Sequence, residues 1–212
     1  MSRDAYITIQ NRSDEEIVIN KSRFIGSAAP CATEAEALAF LQEIRNTYRS
    51  AKHYCYAYII GENRGIMRYS DDGEPGGTAG LPMMDVLKNR EIVNCCVVVT
   101  RYFGGVLLGT GGLVRAYTQS SQAAVEAAGI VKMELTCVEA CELPYAAWDR
   151  FRYAAAQLPV RMEEIAYGSE ISFSLLVRAY DREMMLEKLQ DVSGRKLKSH
   201  KVSEDFMAWS MA

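Results

Sequence analysis

Residues Ile92-Val-Asn-Cys-Cys-Val-Val-Val-Thr-Arg-Tyr102 form the most strand-like stretch of the chain. They run straight into Phe103-Gly-Gly-Val-Leu-Leu-Gly-Thr-Gly-Gly-Leu-Val-Arg115, where five glycines (Gly104, Gly105, Gly109, Gly111 and Gly112) crowd one turn. Leu113, Ala116, Tyr117, Ser120, Ala124 and Ala127 then recur at helical spacing until Gly129 stops the pattern. Strand, glycine-rich loop and helix in direct succession predict a mixed helix-and-sheet domain with its chemistry on the loop.

Working outward, Tyr6–Ile9, Glu16–Ile19 and Ser22–Ala28 read as short strands. Thr33-Glu-Ala-Glu36 is a capping box, followed by Leu38, Leu41, Ile44 and Tyr48 at helical spacing. His53–Ile60 and Gly65–Tyr69 pair as a hairpin, and a short helix is expected over Leu81–Lys88. After Ile130 the rhythm changes to strand, helix, two strands, helix and strand (Met133–Leu143, Ala146–Gln157, Val160–Tyr167, Glu170–Ala179, Asp181–Asp191 and Lys196–Glu204). That order is ferredoxin-like. The expected organisation is α+β in two domains, residues 1–130 and 131–212.

At 212 residues and 49% hydrophobic composition the chain is long enough for a core without staples. Its apolar stretches are only strand-length, so no bilayer-spanning segment is expected, and Met1–Asn11 has no apolar centre to serve as a signal peptide. A formal net charge of −3 argues against bulk electrostatic attraction to nucleic acid. The six cysteines lie in strand-like contexts, and adjacent Cys95 and Cys96 point to opposite faces of a strand, so reduced thiols in a cytoplasmic protein are expected.

Two loops and several cations are the candidates for function. Ser70–Gly80 carries Asp71, Asp72 and Glu74 among glycines, which suits a divalent cation, an acidic docking turn or a carboxylate cap on the next helix. The spacing fails the calcium-loop pattern, and no zinc spacing is present, so no metal is expected. In the second loop Gly104 and Gly109 match the opening of a phosphate-binding P-loop, but Thr110 stands where its lysine belongs. The dinucleotide fingerprint fails as well, since Val114 occupies the third glycine position. No nucleotide cofactor is therefore expected. His53 and His200 are the only histidines, which leaves little for nucleophilic catalysis, and no catalytic residue is assigned. Lys21–Phe24, Lys52–Tyr54, Arg68-Tyr69 and Arg101–Phe103 each set a cation beside an aromatic ring, as single-stranded RNA recognition requires. Arg195, Lys196, Lys198, His200 and Lys201 make a second basic run, for which a solvated charged strand is the plainer reading.

Lys-Ser-Arg-Phe-Ile, Ala-Lys-His-Tyr-Cys-Tyr-Ala-Tyr, Asp-Asp-Gly-Glu-Pro-Gly-Gly-Thr-Ala-Gly-Leu-Pro and the strand–glycine-loop segment together resemble the YigZ/IMPACT family over Asn20–Gly129. Gly76-Gly77 departs from the Ser-Gly common there. The resemblance implies an N-terminal domain with the left-handed βαβ fold of a ribosomal protein's second domain. For the remainder it implies a small ferredoxin-like domain similar to the last domain of elongation factor G. A translational regulator is the family's eukaryotic member, and no enzymatic activity is established for the family.

The leading expectation is a cytoplasmic regulator of translation that binds RNA or the ribosome without catalysis. Its face would combine Lys52, His53, Arg68, Arg101, Tyr102 and Arg115 with Gly104, Gly105, Gly109, Gly111 and Gly112. One alternative is a protein–protein regulator docking through Asp71, Asp72 and Glu74. The other is a small-molecule enzyme that uses those carboxylates as acid or base beside the glycine loop. The two loops are expected to lie side by side, with a carboxylate of one satisfying Arg101 or Arg115 of the other.

Overall fold

A computed structural model describes Asp4–Trp209. The chain forms two compact units, one holding Tyr6–Lys132 and the other Met133–Trp209 with Asp4 and Ala5. Those first residues join the second unit because the Leu135 amide donates to the Asp4 carbonyl at 2.8 Å. Of the Met1–Asn11 stretch, read as lacking a signal peptide, Met1–Arg3 lie outside the described residues. No helix among the described residues is long and apolar enough to cross a membrane.

β1 (Ala5–Ile9) precedes the sheet of the first unit, whose strands are β2 (Ser13–Ile19), β3 (Ser22–Pro30), β4 (His53–Ile60), β5 (Ile66–Ser70) and β6 (Cys95–Tyr102). Their order is β2-β3-β6-β4-β5, and every neighbouring pair is antiparallel. β6 is central, as its apolar sequence demands. Cys95, Val97 and Val99 face one core with α2 (Gly80–Asn89) and α3 (Gly109–Ala127), while Cys96 and Val98 face a second core with α1 (Glu34–Thr47). The adjacent cysteines thus sit on opposite faces. Since β3 and β4 are both antiparallel to β6, they run parallel to each other with β6 between them, and α1 makes the crossover. At its start Thr33 Oγ1 accepts the Glu36 amide at 3.2 Å, while the Glu36 carboxylate reaches back to the Ala32 amide at 2.8 Å.

Around the glycine-rich turn, two boundaries differ from the expectation. β6 begins at Cys95, because Ile92 forms an isolated parallel bridge with Ile7 instead. α3 begins at Gly109, four residues before its first spaced apolar side chain, so Gly109, Gly111 and Gly112 belong to a helix rather than a loop. Gly112 permits this. A Cβ there would stand 2.9 Å from that of Leu108, which turns inward against the core.

The second unit follows the ferredoxin-like order β7 (Ile130–Leu143), α4 (Tyr145–Ala155), β8 (Val160–Tyr167), β9 (Ile171–Arg178), α5 (Arg182–Val192) and β10 (Lys198–Trp209). In its sheet β9 lies between β7 and β8, and β10 pairs with β7. Trp148 and Phe151 of α4 and Met185 and Leu189 of α5 bury against Leu143, Phe173, Leu175 and Val177, giving this unit its own core.

Candidate functional site

The three carboxylates of Ser70–Gly80 are spent within the first unit. Asp71 Oδ1 accepts the amides of Ala79 and Gly80 at 3.0 and 2.8 Å, and Oδ2 accepts that of Gly77 at 2.9 Å. It caps α2 from nine residues upstream, satisfying amides that a helix start leaves without partners. Burial alone would raise this carboxyl's pKa, but the three amide donors outweigh it and hold it below the usual aspartate range. Asp72 accepts the Tyr54 amide at 2.7 Å and meets Arg45 at 3.3 Å. Glu74 lies deepest, its side chain 3% exposed, with Arg101 Nη1 and the Tyr117 hydroxyl both donating to Oε1 at 2.6 and 2.7 Å. Beneath them Cys55 Sγ donates to the Asp71 carbonyl at 3.0 Å, and burial pushes that thiol's pKa up to about 12. The helix-cap reading of the acidic segment is the one realised. An acid–base or acidic-docking role would first have to break these bonds.

Glu74 also ties the two loops together, since Arg101 leads into the glycine segment and Tyr117 lies on the helix that follows it. Tyr117 is the member that helical periodicity hides, because an aromatic at core spacing reads as packing alone. Arg101, expected to contact RNA, is instead 6% exposed, and its guanidinium packs over the rings of Phe24 and Phe103 at 5.4 and 5.6 Å. A phosphate has no access to it without displacing Glu74.

Other expected residues disperse. Arg68 sits opposite Tyr58 in the β4–β5 pair, 4.0 Å from Glu34 of α1, and does not join the loops. Tyr102 donates its hydroxyl to the Arg49 carbonyl, and Arg23 covers its ring at 5.2 Å. Arg45 similarly takes the ring of Tyr54. The cation–aromatic pattern is therefore largely consumed inside the unit. In the second unit Lys198 pairs with Glu170 at 2.7 Å and lies 3.7 Å from Glu142, Lys201 pairs with Glu204, and Arg195 pairs with Asp191. Three of the run's four lysine and arginine side chains are thereby paired. Lys198 and His200 line an open cavity of about 510 Å³ together with Glu142, Glu164, Ser172 and Ser174.

What remains gathers at one end of the first unit's sheet. His53 donates from Nδ1 to the Asp72 carbonyl at 2.8 Å, and its ring lies 3.5 Å from where a Cβ on Gly73 would be. Gly104 abuts the backbone of Lys21 so closely that a Cβ would fall 2.0 Å from the Lys21 carbonyl carbon. Gly105 and Gly109 have φ of +83° and +70°, which glycine alone adopts without strain. Gly111 has ordinary helical geometry and no close neighbour except the tip of Arg115 at 4.0 Å. The α3 N-terminus has no side-chain cap. Among the described residues, Lys21, Lys52 and Arg115 are exposed and their side chains make no hydrogen bond or ion pair. Cations and open backbone therefore stand where the carboxylates have been withdrawn.

Comparison with known proteins follows the same division. Residues 20–125 match the family model described as Impact N-terminal domain. "IMPACT family member YvyE" of Bacillus subtilis (strain 168) is 38% identical over 192 residues, spanning 91% of this chain and 88% of that protein. "IMPACT family member YigZ" of Escherichia coli (strain K12) is 45% identical over 101 residues, 47% of this chain and 50% of that one. "Protein IMPACT homolog" of Saccharomyces cerevisiae is 28% identical over 118 residues, 54% of this chain and 46% of its own length. A solved structure described as "Crystal structure of an hypothetical protein" superposes with a TM-score of 0.61 at 27% identity, covering 96% of this chain and all of its own. The matched residues span β6, both loops and all but the end of α3, and the YvyE match extends into the second unit; the chain belongs to the IMPACT family.

Proposed function

We propose that this IMPACT-type regulator acts in the cytoplasm on translation, binding the ribosome or its RNA through the glycine-lined end of the first unit, as a binding protein rather than a catalyst. One observation carries the reading. At that end the three carboxylates are bonded internally, whereas Lys21, Lys52 and Arg115 and the uncapped α3 N-terminus stay free to meet an anionic surface. Few cations are involved, so affinity is modest and strongly dependent on salt. Co-sedimentation with purified ribosomes over a series of salt concentrations tests this. Binding should weaken with a slope corresponding to roughly three phosphates, at about 0.7 per phosphate for single-stranded contacts. The Lys52→Ala, Arg115→Ala double variant should flatten that slope by about one unit or more. Binding that ignores both salt and these substitutions would reject the reading.

A further inference from the structure

The β6–α3 segment carries more than glycine. Phe103 is 51% exposed, Val106 42% and Leu107 85%, three apolar side chains within five residues. Scattered exposed apolar residues are ordinary, but a contiguous group marks a contact surface. Slack does not account for it, because the inward position is already filled: Leu108 packs against the core over Gly112, and this sets its neighbour Leu107 outward.

We propose that Val106 and Leu107 anchor a protein partner, an acidic segment whose own apolar side chains cover them. The proposal rests on the reading of this end as the docking face and names what the tip itself touches. Charge complementarity selects the partner. The backbone of exposed Lys21 abuts Gly104 in this segment, the Arg115 guanidinium reaches back to Gly111, and the α3 N-terminus adds its positive dipole end, while Asp71, Asp72 and Glu74 are turned inward. A second copy of this chain would bring like charges together around the apolar contact. RNA matches the cations but not Val106 and Leu107, whose branched aliphatic side chains offer neither a ring for stacking nor a donor for phosphate, and the neighbouring Phe103 ring already packs against the Arg101 guanidinium at 5.6 Å. An acidic amphipathic segment satisfies both.

The test uses the full chain and three fluorescent probes: an amphipathic peptide of leucine and glutamate, the same peptide with lysine for glutamate, and oligouridylate. Leu107→Ser removes the anchor without changing charge, and Val106→Ser serves as a second variant. The glutamate peptide should bind, weaken at least fivefold in either variant and weaken again in Arg115→Ala, with the lysine peptide silent. Oligouridylate affinity should be unmoved by Leu107→Ser. Preference for the lysine peptide, indifference of the glutamate peptide to Leu107→Ser, or self-association that Leu107→Ser abolishes would each overturn the proposal. Loss of ribosome co-sedimentation in wild type bears on the docking-face reading alone, so the two failures are separable.

Discussion

Ser70–Gly80 and Phe103–Gly112 are both glycine-rich connections beside apolar strands, yet they spend their polar groups in opposite directions. The first turns every carboxylate inward, onto the α2 amides, the β4 backbone and a buried arginine. The second leaves backbone and apolar side chains facing solvent, with the unpaired Lys21, Lys52 and Arg115 on the flanking elements. A dense run of charge in a sequence is thus no measure of charge on a surface. What decides is whether unsatisfied amides or a buried counter-ion lie within reach, because a carboxylate that can satisfy several orphan donors gains more there than in water.

The contrast breaks most sharply at Glu74. Glu74→Ala leaves the Arg101 guanidinium buried and unpaired, and should cost about 3–5 kcal/mol in a urea titration. A loss below about 1 kcal/mol would mean that the acidic segment is not held as described. Tyr117→Phe removes one hydrogen bond to the same carboxylate and should cost about 1.5–3 kcal/mol. Asp71→Ala takes away the cap of α2 and should cost about 0.5–2 kcal/mol. The Asp71 carboxyl titrates lower in the folded chain than in the unfolded one. The stability it supplies is therefore complete above the ordinary aspartate pKa of about 4 and drains away as pH falls through the folded value. A melting series from pH 6 downward should be flatter at its acid end in Asp71→Ala than in wild type. At the other loop, Arg115→Ala and Lys52→Ala should each change stability by less than about 0.5 kcal/mol, since neither side chain has an internal partner. A large destabilisation by either would erase the distinction between the loops.

Periodicity and composition disclosed most of this architecture. The central strand, the capping box at Thr33 and the ferredoxin-like order of the second unit are local patterns, and local patterns survive folding. The expected pairing of the two loops holds, with Glu74 meeting Arg101, but which carboxylate and which arginine would pair, and that Tyr117 would join them, was not readable. Glu74 meets Arg101 from 27 positions away and Tyr117 from 43, distances at which spacing carries no signal. Arg101 beside Tyr102 and Phe103 has the look of an RNA-binding cluster until the fold supplies a carboxylate. The start of α3 was obscured for another reason. Glycine is a poor helix former, so Gly109–Gly112 reads as a loop, and only Leu108 folding over Gly112 makes a helix of it. The exposure of Leu107 beside the tucked Leu108 follows from that same geometry and cannot be read from two adjacent leucines.

Cys55 gives the acidic segment an intrinsic clock. Its thiol lies under the Asp71 carbonyl and ionises only near pH 12, so alkylation has to wait for the chain above to lift away. The five other cysteines, Cys31, Cys95, Cys96, Cys137 and Cys141, also have thiol pKa values raised by burial, yet none of them hydrogen-bonds to this segment. The time constant of Cys55 modification under native conditions therefore counts how often the segment that carries the Asp71, Asp72 and Glu74 carboxylates lifts from it at Asp71. A partner that seized those carboxylates would make the clock run fast, whereas one confined to the glycine segment would leave it keeping the same time.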